Sequence, residues 1–229
     1  MAEKQTALSN ENRDSFEARL FGCFSPLDTK NIMYAYDVAK IAHGQKLQKR
    51  DSGERYFEHP RAVALILLDE CEIKDAAIIK GALIHDVLED TGFFGNAHYL
   101  TYQQLIEEAE YRISLLFGEE TAGIVIDVSK PNGTDMVGKT AGEIDDMYHR
   151  NLENAPAKSL LVKMADVLHN NRTLLSTTLK KQHHRVEETE GVYLDMFKRK
   201  VLPEYPNEGG YLLDQIKLAV NRTRLSWRK

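Results

Sequence analysis

An all-α domain is the fold class this sequence predicts, and three observations predict it. Apolar residues recur at three- and four-residue spacing through most of the chain, the pattern of helices with one buried face. Strand-like alternation is nearly absent, and no internal repeat, low-complexity tract or inter-domain linker interrupts the 229 residues. With 42% hydrophobic and 28% charged residues, the composition is that of a soluble globular chain long enough to bury its own core.

The elements follow in order. The first dozen residues are polar and expected to fray. Asp28 or Thr29 is expected to cap a helix carrying Ile32, Ala35, Tyr36, Val38, Ala39 and Ala42. A polar stretch from Gly44 to Glu58 leads to His59-Pro60, which reads as a helix start because proline suits the first helical position. Asp75 is the expected cap of a helix from Ala76 to about Glu89, and Thr101 with Gln104 forms a capping box for the next. Further helical patterns cover Phe117–Val128, Ile144–Leu152, Lys158–Leu175, His184–Lys200 and Gly210–Leu225, with the longest break at Ser129 to Gly142. The expected organisation is a partly flexible segment at 1–27, one helical domain at 28–200, and a helical extension at 201–229 packed on it.

A net charge of -5 excludes a general electrostatic grip on nucleic acid or on an anionic membrane, while leaving room for a local basic pocket. Cys23 and Cys71 form no paired metal motif and read as small buried hydrophobes in a reducing cytoplasm. No apolar run reaches the roughly 18 residues of a membrane span. The opening MAEKQTALSNENRD lacks a secretory signal, so a cytoplasmic location is expected. Nothing in the sequence defines an oligomeric state.

The chemistry concentrates in two apolar segments. Ala76 to Asp90 carries apolar residues nearly all round its axis, yet ends in His85, Asp86, Glu89 and Asp90. Such a helix is usually buried, and buried charges require partners or a metal. In Leu160 to Asn170, Asp166 and Asn170 share a face of an otherwise apolar helix. Either segment alone fits buried ion pairs, for instance Lys163 or Arg172 with a carboxylate. Both together point to a site. His59, His85, Asp86 and Asp166 would form a mixed nitrogen and oxygen shell, better suited to manganese, iron or zinc than to calcium. A cation there lowers the pKa of water and polarises a phosphoryl oxygen, and Glu89 with Asp90 can share proton work.

These residues resemble a known family. The His85-Asp86 doublet, with a histidine before it and an aspartate well after, is similar to that of HD-domain phosphohydrolases. Arg50-Asp-Ser-Gly-Glu-Arg-Tyr-Phe-Glu-His-Pro60 resembles the R-x-S-G-E-x-Y-x-x-H-P segment of RelA/SpoT-homologue hydrolase domains. His85-Asp-Val-Leu-Glu-Asp-Thr91 resembles their H-D-x-x-E-D-T, and Val162 to Thr173 their V-K-x-A-D-x-x-H-N-x-R-T. Order and spacing agree from about Ile32 to Leu175.

The resemblance implies a single helical HD-domain bundle with a metal site between buried helices. It implies hydrolysis of the 3′-pyrophosphate of ppGpp or pppGpp, with Mn2+ as cofactor and a guanosine nucleotide as partner. Carried over position by position, His59, His85, Asp86 and Asp166 would bind the metal. Glu89 and Asp90 would handle the attacking water, Asn170 would orient the site, and Arg50, Lys163, Asn170 and Thr173 would hold substrate. The short stretch beyond Leu175 leaves no room for a synthetase domain, so a stand-alone small alarmone hydrolase is expected. One residue departs from the pattern: Asp51 stands where the family commonly has a phosphate-binding lysine, and Lys49 or Arg55 is the expected neutralising partner. The alternatives are an HD phosphohydrolase acting on another nucleotide or dinucleotide cofactor, or a non-catalytic nucleotide-binding module.

Gly133 to Thr140 also fits the phosphate-loop pattern G-x-x-x-x-G-K-[ST], with Lys139 and Thr140 as its functional residues. That reading needs a strand just before it. Phe117, Thr121, Ile124, Val125 and Val128 form a helical stripe instead, so a surface loop is expected. His169 is assigned to packing, His183-His184 to solvent, and His43, His98 and His149 stand alone. Arg222, Arg224, Arg228 and Lys229 complement the last helix terminus, and Trp227 is a candidate subunit contact.

Overall fold

The computed structural model describes residues 12–44 and 49–228. The expected fraying of the polar start, residues 45–48 of the polar stretch, and Lys229 lie outside them. Among the described residues the structure consists of helices and their connections, with no strand. The all-α expectation holds.

α1 (Arg13–Leu20) starts at Asn12, whose side chain accepts from Ser15 N at 2.9 Å, and it buries Phe16 and Leu20. The sequence predicts no helix here; the turn after α1 also leaves Cys23 exposed rather than buried, whereas Cys71 is buried as expected. α2 (Pro26–Gly44) begins earlier than expected, because Ser25 Oγ rather than Asp28 or Thr29 receives the free N–H of the first turn, from Asp28 at 3.1 Å. α3 (Glu58–Leu65) carries His59 and widens into one i→i+5 turn at Ile66–Glu70. α4 (Ala76–Ile84) is capped by Asp75, as read from the sequence. It stops at His85-Asp86, and a single turn, α5 (Val87–Asp90), resumes beyond. The continuous helix to Glu89 is therefore corrected. His85 Nδ1 lies 2.8 Å from Ala82 O, the carbonyl that Asp86 N–H would take in a regular helix.

α6 (Tyr102–Phe117) has the capping box of Thr101 and Gln104, and α7 (Glu119–Val128) follows a break at Gly118. α8 (Ala141–Asn154) leads to α9 (Ala157–Arg172) and α10 (Leu179–Glu188). The expected helix His184–Lys200 is divided by a second i→i+5 turn at Thr189–Tyr193 before α11 (Leu194–Lys200), and α12 (Pro206–Ser226) ends the fold.

α4 lies at the centre, against α2, α3, α7 and α9, which explains its apolar residues on every side. A Cβ on Gly81 would come within 2.6 Å of Ile124 on α7, so glycine is what lets these helices approach. α9 runs between α3, α7 and α12 with Leu160, Leu161, Met164 and Leu168 buried. α12 covers it with Leu212, Ile216 and Val220. Arg172 at the end of α9 grips Glu70 at 2.6 and 2.7 Å, and Tyr211 of α12 bonds the same carboxylate at 2.7 Å.

The phosphate-loop lookalike is a structural connector. Its supposed strand is α7, Thr140 caps α8, and Asp135 accepts from Tyr102 N at 2.7 Å at the start of α6. Gly133 has φ +144, and a Cβ there would sit 2.6 Å from Tyr102 N. Gly133→Ala should therefore lower stability by about 1–3 kcal/mol in urea unfolding, through backbone strain and a displaced loop. An unchanged midpoint would refute that account.

Candidate metal centre

Three segments bring the site together. α3 supplies His59 near its start, the α4–α5 break supplies His85 and Asp86, and the middle of α9 supplies Asp166. His59 Nε2 lies 3.0 Å from Asp166 Oδ1 and 3.4 Å from Asp86 Oδ2. His85 Nε2 lies 3.1 Å from Asp86 Oδ1 and 3.9 Å from Asp166 Oδ1. Ligand atoms held about 2.0–2.2 Å from one small cation stand at roughly such separations from each other. His59, His85 and Asp86 by themselves form a group able to hold a metal ion.

The electrostatics point the same way. His85 Nε2 is buried without a hydrogen-bond partner, while its Nδ1 is engaged by Ala82 O. Burial opposes a charge on His85, but Asp86 and Asp166 outweigh it and push its pKa up to about 9. Burial would also raise Asp86, yet the two histidines hold it well below the carboxylate range. Asp166 is held low as well, chiefly by Lys163 against burial. Burial lowers His59. Two anionic carboxylates facing an orphaned imidazole nitrogen form a site that fits a divalent cation.

The remaining expected residues line the same cavity, of about 330 Å³: Arg50, Glu89, Asp90, Lys163, Asn170 and Thr173. Glu89 Oε1 accepts from Lys130 N at 2.7 Å, and burial together with Asp86 pushes its pKa up to about 7. Asn170 donates to Asp166 Oδ1 at 2.6 Å and accepts from Arg50 at 2.7 Å, joining the Arg50 side of the cavity to the histidine and carboxylate cluster. Lys163 departs from a simple substrate contact. Its ammonium bonds Asp166 Oδ2 at 2.7 Å, which is the ion pair the sequence allowed, and sits over the rings of Tyr148 and Tyr193.

Other expectations change. Asp51 is neutralised by Lys181 at 2.7 Å, whereas Arg55 pairs with Glu58. His169 is in ring contact with His59 and burial keeps its pKa well below the ordinary value. His149 reaches Glu188 at 3.3 Å. His183 and His184 are exposed, as expected, although His183 also stacks on Trp227 at 4.0 Å, and Arg224 pairs with Glu190. The cavity residues Tyr148, Arg185, Glu188 and Tyr193 went unnoticed in the sequence, because they lie on amphipathic helices where polar residues look solvated.

A helical bundle with a His, His-Asp and Asp cluster defines the HD class of proteins. The chain belongs to the HD domain family, whose profile matches residues 35–200. It is similar to "GTP pyrophosphokinase rsh" of Brucella ovis, 34% identical over 179 residues, 78% of this chain and 21% of that protein. It is 36% identical to the "probable guanosine-3′,5′-bis(diphosphate) 3′-pyrophosphohydrolase" of Synechocystis over 167 residues, 72% of this chain and 19% of that one. It is 34% identical to the "bifunctional (p)ppGpp synthase/hydrolase SpoT" of Escherichia coli over 172 residues, 74% of this chain and 22% of that one. The chain thus spans about a fifth of the length of the curated relatives it matches. A solved structure of a metazoan SpoT orthologue shares the fold, with a TM-score of 0.57 and 22% identity over 84% of this chain and 94% of that one. No helix among the described residues is long and apolar enough to cross a membrane.

Proposed function

We propose that this chain hydrolyses the 3′-pyrophosphate of ppGpp or pppGpp, giving pyrophosphate and GDP or GTP respectively, with manganese as the metal. The observation that carries the reading is the convergence of His59, His85, Asp86 and Asp166 beside Glu89 in a cavity bordered by Arg50. The names of the relatives and the three matched motifs support the substrate. When bound, the cation supplies Lewis-acid polarisation of a phosphoryl oxygen and acidifies water.

The chain's own groups would do the rest. Glu89, with one oxygen occupied by Lys130 N, takes the proton of the water that attacks the phosphorus on the 3′ oxygen. The bond from that phosphorus to the 3′ oxygen breaks, and one proton, passed on from Glu89 with Asp90 as the second carboxylate, goes to that oxygen, which leaves as the ribose hydroxyl. Lys163 holds Asp166 by Oδ2 and leaves Oδ1 towards His59. Arg50, oriented by Asn170, meets the guanosine nucleotide by stacking or by bidentate hydrogen bonds, and Thr173 lines the wall beside it.

The test is turnover by metal-loaded protein on ppGpp and a panel of nucleotides, with release of pyrophosphate as the expected result. Asp51 favours a second reading, an HD phosphohydrolase whose nucleotide presents a donor at the cavity mouth. Asp51→Lys separates the two. It frees Lys181 and removes a negative charge, so KM for ppGpp should fall several-fold with kcat unchanged, and the gain should fade in high salt. Loss of activity on a different nucleotide in this variant, with ppGpp ignored, supports the second reading.

A further inference from the structure

His169 is a buried histidine at the site to which the ligand set gives no task. It follows Asp166 by one turn of α9, while His59 lies on α3. Their rings are 4.8 Å apart at the centroids, and the two Nδ1 atoms are 2.7 Å apart. Two nitrogens at that distance must share one proton, since two N–H groups or two lone pairs would repel.

The position of His59 decides which ring carries that proton when a cation is held. Its Nε2 is the atom that faces Asp86 and Asp166, so ligation requires a lone pair there. A neutral His59 then carries its proton on Nδ1, and that N–H points at His169 Nδ1. We propose that His169 is a positioning residue that accepts the His59 Nδ1–H bond, fixing the tautomer and ring plane in which His59 presents Nε2 to a divalent cation. The proposal rests on the metal-site reading above.

His85 supports the assignment by contrast. Its Nδ1 is engaged by a backbone carbonyl of its own helix, Ala82 O. His59 has no such local acceptor and reaches across to α9. The far ring is buried, and its backbone belongs to the last turns of α9, where His169 O accepts from both Thr173 N and Thr173 Oγ1 at 3.1 Å. One bond therefore ties the α3 ligand to the helix that carries Asp166 and Asn170. Metal-binding histidines generally depend on such an acceptor, whose loss costs about 10- to 100-fold in metal affinity.

The experiment compares metal affinity, by calorimetric titration with Mn2+, in wild type, His169→Leu and His169→Asn. Leucine fills space without accepting; asparagine places Oδ1 near the position of Nδ1. Leucine should weaken binding about 10- to 100-fold, and asparagine should restore most of the loss. Cobalt-loaded leucine variant should also show an altered visible spectrum. Equal affinity in wild type and leucine variant, or no rescue by asparagine, overturns the proposal. Wild type that binds no divalent metal overturns the metal-site reading itself, and this inference with it. Should the leucine variant fail to fold, nitrogen-15 spectra of zinc-loaded wild type decide. Protonated Nδ1 on His59 and bare Nδ1 on His169 are expected, and the reverse refutes the assignment.

Discussion

Asp86→Ala should reduce divalent-metal affinity by more than about 100-fold, beyond the loss typical of a residue that merely supports a ligand. Turnover should fall with it. Asp86 lies between both histidines, 3.4 Å from His59 Nε2 and 3.1 Å from His85 Nε2, so its removal would take away one proposed ligand and half of the anionic charge facing them. Asp166→Ala should behave alike, with the added cost of leaving Lys163 without its carboxylate in a recessed position. Calorimetric titration and metal content after dialysis measure both. A variant that retains wild-type affinity would show that the cluster is a buried ion-pair network and no metal site.

Glu89→Gln should lower kcat by about 10²- to 10⁴-fold, the usual contribution of a general acid or base, while metal affinity stays within a few-fold. Glutamine keeps an oxygen to accept from Lys130 N, so the backbone there is undisturbed and only the proton acceptor is lost. Because burial and Asp86 raise the Glu89 pKa to about 7, the base form is lost on acidification. Wild-type turnover should accordingly fall below about pH 7, and that acid limb should be missing from the Glu89→Gln profile. Lys139→Ala is the control, since Lys139 is exposed on a connector outside the cavity. A dead Lys139→Ala with an active Glu89→Gln would reverse the choice between the two motifs.

Much was legible in the chain alone, and for an identifiable reason. Apolar spacing is local information, so it located α4, α6, α7 and α9, and capping residues set Asp75 and Thr101 at their starts. Carboxylates and a histidine set among apolar neighbours betray a site, because burying them unpaired is too costly. That logic singles out His85, Asp86 and Asp166 as candidates, with His59 added to complete a mixed ligand shell, and three motifs in fixed order pointed to the family. α1 went unread because it is polar over most of its length and buries only Phe16 and Leu20.

Tertiary structure alone decided the partners. Asp51 and Lys181 are 130 positions apart, His59 and His169 are 110 apart, and Arg50 and Asn170 are 120 apart. No periodicity encodes such pairs, because which polar atom meets which depends on how α3, α9 and α10 pack. The helix break at His85-Asp86 belongs there too. Whether a ring nitrogen engages its own helix or a neighbour is settled by the space around it, and here that space turns Nε2 of His85 towards Asp86 and Asp166.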